Sequence, residues 1–358
     1  MTSEKLYEHC TQCPRACGAN RLSSDTIHSN TQNGENIFEP CARASKPSLG
    51  FCYETDKLRI ASATLHFGEE PPITVFGGSG TIFFTGCTLH CAFCQNYQIS
   101  ELGMGSEVSE TEFVEMCLRL QNRGAENINL VTGSHHIPRI ADFIRNAKNA
   151  GVSIPFCWNS SAYESVETLE LLRDLVTIWL PDFKTKSPAL SEKLFFARDY
   201  PAVAMDAISW MIKNFPLEFV SKKNSATGEA KEKIIRGVIV RHLFLPGKLD
   251  ETIEVLDWLK KHADGKALIS LMSQYTPIPF SKSEMQKREG SLSAIENRLA
   301  NQNEAQVLRE LVDAYNFSEI FFQELVSDTS WLPDFSKPQP FSNALATPLW
   351  HWKTGFSF

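Results

Sequence analysis

The chain has 358 residues, a mass of 40.2 kDa, 42% hydrophobic and 22% charged residues, the balance of an ordinary globular enzyme with room for one large domain and an appendage, or for two modest domains. A net charge of −7 argues against nucleic acid and acidic membranes as partners, because both need a basic surface. No apolar run approaches the ~20 residues of a bilayer span, and Met1-Thr2-Ser3-Glu4-Lys5 lacks the basic-then-apolar pattern of a leader, so the expected location is cytoplasmic.

In a reducing compartment disulfides are rare, and clustered thiols bind metal or do redox work. Eight of the ten cysteines lie before position 95. Residues 1–55 are polar and cysteine-rich with little periodicity, and read as a metal-stapled appendage in which Ser23 to Glu39 is a flexible insertion. Cys10-Thr11-Gln12-Cys13-Pro14-Arg15-Ala16-Cys17 is C-x2-C-x3-C. A fourth thiolate, from Cys41 or Cys52, would close a site for zinc or an auxiliary iron–sulfur cluster whose main task is to staple a segment too small for its own core. Gly77-Gly78-Ser79-Gly80 precedes a strand and lacks a following Lys-Ser or Lys-Thr, so it is a turn and not a phosphate loop.

From about residue 80 the chain alternates strand-like and helix-like segments. Thr81 to Phe84, Ile128 to Val131, Ile154 to Trp158, Val176 to Leu180, Ile234 to Arg241, Leu268 to Leu271 and Ile320 to Phe322 read as strands. Pro138 to Ala150, Glu164 to Arg173, segments between Pro188 and Lys213, Glu251 to His262 and Glu304 to Tyr315 read as helices, and Ser221 to Lys233 as a solvated loop. Such alternation implies a parallel sheet wrapped by helices, either doubly wound or a partial barrel, with its site at the C-terminal ends of the strands. Cys117, on a helix face, and Cys157, inside an apolar strand, read as small buried hydrophobes.

Directly after Thr81-Ile82-Phe83-Phe84 comes Cys87-Thr88-Leu89-His90-Cys91-Ala92-Phe93-Cys94, a C-x3-C-x2-C loop at a strand end. Three thiolates there can hold zinc with a fourth ligand from elsewhere, or an iron–sulfur cluster with one iron left unligated by protein; spacing alone does not choose. Phe93 offers a flat face to a planar ligand base.

With these details the loop resembles the C-x3-C-x-aromatic-C motif of the radical S-adenosylmethionine (radical SAM) superfamily. From about Ile82 to Tyr275, and in its cysteine-rich start, the chain resembles the branch related to pyruvate formate-lyase activating enzyme, often labelled PflX-like. The resemblance implies a partial (β/α)6 TIM-like barrel over 70–325, the appendage over 1–55, and a C-terminal extension over 326–358. It implies a [4Fe–4S] cluster on Cys87, Cys91 and Cys94, S-adenosylmethionine chelated at the free iron, and a reductant such as flavodoxin or ferredoxin. Thr132-Gly133-Ser134 stand where the superfamily has Gly-Gly-Glu, with no glutamate here, while Asn159 and Ser160 resemble polar contacts of the Asp-Thr-Asn-Gly run.

Asp182 and Lys184 resemble the Asp-Leu-Lys run, with Lys184 neutralising the ligand carboxylate, and Arg241 resembles a strand-end arginine facing the ligand. Gln274 and Tyr275 would close the pocket, and Gly50-Phe51-Cys52 favours Cys52 over Cys41 as fourth ligand beside Cys10, Cys13 and Cys17. Each residue also has a plainer role open to it: Asp182 and Lys184 can pair with each other, Arg241 can be a structural counter-ion, and of the neighbours His135 and His136 at most one can face a cavity. The activity implied is reductive cleavage of S-adenosylmethionine for hydrogen abstraction, an oxidoreductase or lyase activity directed at a glycyl-radical protein, or at a small molecule or another protein residue. A zinc-binding adaptor with no turnover is the reading of a different class.

Overall fold

The structure, a computed structural model, describes residues 5–22, 49–323, 325 and 331–357. The expected insertion from Ser23 to Glu39 and the candidate ligand Cys41 lie outside the described residues.

Twelve strands run in chain order as β1 (Arg59–His66), β2 (Ser79–Phe84), β3 (Ser106–Glu107), β4 (Ile128–Val131), β5 (Phe156–Ser160), β6 (Ile178–Pro181), β7 (Glu218–Lys223), β8 (Ala230–Leu243), β9 (Leu268–Met272), β10 (Ile320–Gln323), β11 (Ala346–His351) and β12 (Gly355–Phe356). Across the sheet the order is β10-β9-β8-β6-β5-β4-β2-β1-β11-β12, with β3 beside β1 and β7 beside β8. Neighbours from β2 through β10 are parallel and follow one another in chain order. A doubly wound sheet would reverse its order at a switch point. With no reversal, right-handed crossovers place every connecting helix on the same face, and the other face becomes a lumen. The α/β partial barrel expected from the sequence is the fold found, with six crossovers joining seven parallel strands.

Strand alternation sorts the side chains. Leu130, Trp158, Trp179, Val238, Val240 and Ile269 pack outward against the helices in the large core. Cys157, Ile178, Leu180, Ile239 and Leu268 pack inward around Ile73. Strands buried on both faces read as near-continuous apolar runs, which is why they were legible. Cys117 and Cys157 are both fully buried among apolar neighbours. The helix Ile137–Asn149 tolerates Pro138 in its first turn, where no backbone donor is needed. Capping boxes start Glu110–Asn122, through Ser109 and Glu112, and Gln302–Tyr315, through Asn301 and Glu304.

Three segments differ from expectation. The helix expected from Glu164 to Arg173 shrinks to Val166–Leu169 and the 3-10 turn Glu170–Leu172, because Ser165 is the N-cap and Glu164 is engaged by Ser134 and Ser160. Ser221 to Lys233 is no solvated loop: it lies in the β7–β8 hairpin, and Lys222 and Lys233 reach the buried Glu126 carboxylate at 2.6 and 3.0 Å. Finally, antiparallel strands that the periodicity did not reveal extend the sheet, β1 beside β2 and β11–β12 beside β1, so 59–66 and 346–356 join the same sheet as the barrel strands.

Because β1 runs antiparallel to β2, it delivers the chain to the end of the barrel where the parallel strands begin. There the short helix Pro71–Thr74 turns inward and places Ile73 among the lumen-facing side chains, closing that end. Among the described residues no helix is long and apolar enough to cross a membrane.

Two predictions follow from buried polar groups in this frame. Glu126 accepts from Lys222, Lys233 and the Gly77 N–H, so Glu126→Ala leaves three donors without an acceptor and is expected to cost about 1–3 kcal/mol in denaturant unfolding, with faster amide exchange in the β7–β8 hairpin. His242 lies buried with Nδ1 2.7 Å from the Phe183 carbonyl and Nε2 2.9 Å from the Thr252 hydroxyl, and burial pushes it from 6.5 down to about 4. Between those values the unfolded chain holds a proton that the folded chain does not, so stability present above them is lost as pH falls through the window. Melting temperature measured against pH should fall across it, with a shallower slope in His242→Asn.

Candidate active site

The C-x3-C-x2-C loop leaves β2 through a tight corner. A Cβ on Gly86, whose φ is +75°, would lie 2.4 Å from Glu54 Cγ and 2.7 Å from the Cys52 carbonyl, so only glycine lets the two segments meet. Thr85 Oγ1 donates to Glu54 at 2.6 Å. His90 is in the left-handed region at φ +54°, and its Nε2 lies 2.9 Å from the Phe51 carbonyl, an acceptor, so that nitrogen carries the proton. The Leu89 N–H donates to Cys87 Sγ at 3.3 Å, and Ser100 Oγ lies 3.5 Å from Cys94 Sγ.

Burial pushes all three loop thiols up, Cys94 to about 12, and each feels at least one of the others or a nearby charge. The Lys184 ammonium works the other way on Cys87 and Cys91. Thiols so placed ionise only with a cation among them, and a set of three soft sulfurs suits an iron–sulfur cluster with one open position. The residues therefore fit such a group, although no three His, Cys, Asp or Glu among the described residues already stand in ligating geometry.

Cys10, Cys13, Cys17 and Cys52 come together beside this loop. Cys10 and Cys52 are buried, Cys13 is half-buried and Cys17 exposed. A Cβ on Gly50 would lie 3.2 Å from Cys17 Sγ and 3.5 Å from Cys52 Sγ, and Cys13 is pushed up to about 12 by burial and by Cys52. Two arginines dock the segment. Arg15, between Cys13 and Cys17, donates to the Thr88 carbonyl inside the loop and to the Phe195 carbonyl, both at 2.8 Å, and to that of Phe196. Arg21 is buried and donates to the Glu54, Thr55 and His135 carbonyls at 2.9, 2.6 and 2.6 Å. His135 and His136 are both buried at this junction, and His135 is pushed down to about 3 by burial, with Arg21 adding to it. Both rings are parts of the docking interface.

The lumen holds the other candidates. Arg241 donates from Nε to Asp182 at 2.8 Å, from Nη2 to Asn159 Oδ1 at 2.6 Å and from Nη1 to Glu69 at 3.3 Å. Lys184 Nζ donates to the other Asp182 oxygen at 2.8 Å, so the pair foreseen as the plainer reading forms inside the larger cluster. Burial works to raise the Asp182 carboxyl, but Arg241 and Lys184 outweigh it and hold it low. Asp182 and Lys184 keep 24% and 18% side-chain exposure, so the cluster is not sealed from solvent.

The remaining candidates divide. Phe93 sets its edge against Phe195 and Tyr275, with ring centres 6.0 and 5.7 Å away, and Tyr275 donates to Asn297 at 2.6 Å. Gln274 accepts from Gln323 at 3.0 Å. Thr132 Oγ1 donates to the Asn159 carbonyl at 3.3 Å. Gly133 has no room for a side chain, since a Cβ would lie 2.3 Å from Ile140 Cδ1. Ser134 and Ser160 instead give their hydroxyls to the buried Glu164. Glu69, Glu164 and Arg15 are the residues of this region that the sequence did not single out. The pair Glu69-Glu70 ahead of Pro71-Pro72 was the available signal, two charges directly before a proline-started helical turn.

A chain without the Arg15 guanidinium loses its three carbonyl bonds to Thr88, Phe195 and Phe196, while those of Arg21 remain. Limited proteolysis of Arg15→Ala, in metal-free protein, should cut between the appendage and β1 at least about tenfold faster, with the melting midpoint of the barrel little changed.

Residues 81–218, which include the three-thiol loop and the strands from β2 to β6, match the model of the radical SAM superfamily. The uncharacterized protein MJ0674 of Methanocaldococcus jannaschii is 28% identical over 326 residues, covering 89% of this chain and 78% of that one. SuiB of Streptococcus suis, bound to precursor peptide SuiA, is similar with a TM-score of 0.45 and 10% identity, over 67% of this chain and 47% of that one. The FeFe-hydrogenase maturase HydG of Carboxydothermus hydrogenoformans is similar with a TM-score of 0.39 and 17% identity, over 68% of this chain and 61% of that one. The chain thus spans less than two thirds of the length of either solved structure. The likeness to the radical SAM superfamily runs over residues 81–218, under half of the chain.

Proposed function

We propose that this protein is an enzyme that reductively cleaves S-adenosylmethionine, with Cys87, Cys91 and Cys94 holding a [4Fe–4S] cluster. The observation that carries the reading is the three-thiol loop just after β2, where Cys91 feels Lys184 and Asp182 and that same Asp182 is bonded to Arg241. A cluster held by Cys87, Cys91 and Cys94 would supply the electron for splitting the sulfonium C–S bond into methionine and a 5′-deoxyadenosyl group able to abstract a hydrogen atom.

The chain's own residues bind and orient. Lys184, close enough to Cys91 to affect its charge, is the cation for the ligand carboxylate. Arg241 gives a planar, permanently charged fork at the same level, held in one orientation by Asp182, Asn159 and Glu69. Phe93 and Tyr275 form an aromatic wall for the adenine. Cys10, Cys13, Cys17 and Cys52 hold a second metal, zinc or iron–sulfur, that keeps the appendage docked. A low-potential flavodoxin or ferredoxin serves as the reductant, and the protein works in the cytoplasm.

Resemblance to the PflX-like branch supports activation of a glycyl-radical enzyme. A second reading, hydrogen abstraction from a small molecule, is favoured by the acidic side chains at the closed end of the lumen.

Anaerobic reconstitution with iron and sulfide tests the reading. The expected result is a brown protein that, once reduced, yields 5′-deoxyadenosine and methionine. A colourless protein holding zinc alone, with no cleavage, would overturn it in favour of an adaptor. Cys91→Ala should abolish cleavage, Cys13→Ala should chiefly lower folding yield, and Lys184→Ala should raise the KM for S-adenosylmethionine at least about tenfold, the loss of one charge-assisted bond.

A further inference from the structure

The segment that closes the lumen carries two carboxylates that the proposed reaction does not use. Glu69 and Glu70 directly precede the helix Pro71–Thr74, whose Ile73 plugs the end where the parallel strands begin. Both therefore stand at the floor of the barrel, on the side away from the thiol loop. Glu69 Oε1 accepts from Asn129 at 3.2 Å and from Asn159 at 3.4 Å, and its Oε2 accepts from Arg241 at 3.3 Å. Glu70 lies against Glu69 and Ser270.

Two features of this floor point to a missing donor. Asn129 is fully buried and uses its amide N–H on Glu69, yet its Oδ1 has no partner, and neither does the buried Oε2 of Glu70. Orphaned buried acceptors are costly, and each calls for an N–H or O–H. The charge is also uneven. Fully ionised, Glu69, Glu70 and Asp182 would set three carboxylates against Arg241 and Lys184, and burial raises both Glu69 and Glu70, so this pair holds a proton where no further cation is present. A donor that also carries one positive charge satisfies both features.

A metal ion is the weaker candidate. Two carboxylates and one amide oxygen are fewer ligands than an oxygen-seeking divalent cation collects. A primary ammonium has three donors and no acceptor, which matches an all-acceptor floor.

We propose that Glu69 and Glu70, with Asn129, form the substrate subsite of the lumen and take the protonated amine of a small substrate entering from the thiol-loop end. This rests on reading the lumen as the reaction cavity, and it places the carbon next to the amine toward Arg241 and the loop. Without ligand, burial and Glu69 push Glu70 up to about 7, so a proton balances the surplus charge until the ammonium replaces it. Binding then releases that proton to solvent, and no covalent bond changes.

The test is calorimetric titration of the full chain, free of S-adenosylmethionine, with n-butylammonium near pH 7 in two buffers of different ionisation enthalpy, and with n-butanol as the uncharged control. Saturable binding of the amine alone, with net proton release, is the expected result, since an ammonium beside the raised Glu69 and Glu70 carboxyls favours their ionised form. Glu70→Gln should bind the amine at least about tenfold more weakly and with less proton release. Should Glu70→Gln not fold, the proton release of the unaltered protein decides alone. Equal binding of butanol, binding of the amine without proton release, no saturable binding, or undiminished binding by folded Glu70→Gln would each overturn the subsite. Because the titration requires neither cluster nor S-adenosylmethionine, its failure alongside intact cleavage removes the subsite and leaves the proposed reaction standing.

Discussion

A guanidinium inside a barrel must be neutralised where it stands, and the arrangement around Arg241 follows from that constraint. Its three nitrogens are bonded to Asp182 at the end of β6, Asn159 in β5 and Glu69 from the floor segment. Removing any one of these would leave buried charge or buried donors without partners, the costly situation for a group taken out of water. The cluster is therefore weak evidence for stability and strong evidence for position. It ties the register of neighbouring strands, the inward turn of residues 69–74 and the orientation of the fork to a single geometry.

The same logic operates at the other end. A C-x3-C-x2-C loop has too few internal bonds to hold its shape, and its carbonyls need donors. Arg15 supplies one to Thr88, the Phe51 carbonyl fixes His90, and Gly86 lets the Cys52–Glu54 strip pass close by. The cysteine-rich appendage is thus part of the wall that shapes the loop, and any metal that orders the appendage also orders the loop. Two thiol sets in one chain need not be independent when carbonyls of one are held by side chains of the other.

Between these ends the lumen grades from the loop thiols, through Lys184 and Asp182, to Arg241 and then to the carboxylates of Glu69 and Glu70. A gradient from cation-rich to anion-rich along one cavity orients a ligand that carries both signs. Outside it, Glu164 anchors Ser134 and Ser160 from the helix side, so the loops after β4 and β5 are fixed from behind.

Much of this was legible in the chain. The apolar runs at Ile128 to Val131 and Val176 to Leu180 mark strands buried on both faces, and their alternation with helical segments implies a parallel sheet. Cys87, Cys91 and Cys94 stand close in sequence, so their spacing alone marks them as one candidate ligand set. What was not legible depends on residues far apart in the chain. The periodicity left doubly wound and barrel folds open until strand order was known. β1, with Ser62 and Thr64 among its small residues, reveals itself only by pairing with β2 and β11. Glu69 meets Arg241 across 172 positions and Arg15 meets Phe195 across 180. Local sequence determined which elements form and which thiols cluster, because backbone propensity and short spacings act between near neighbours. Only the tertiary structure decided which carboxylates enter the lumen and what holds the loop in place, because pairing a buried charge requires partners that folding alone brings together.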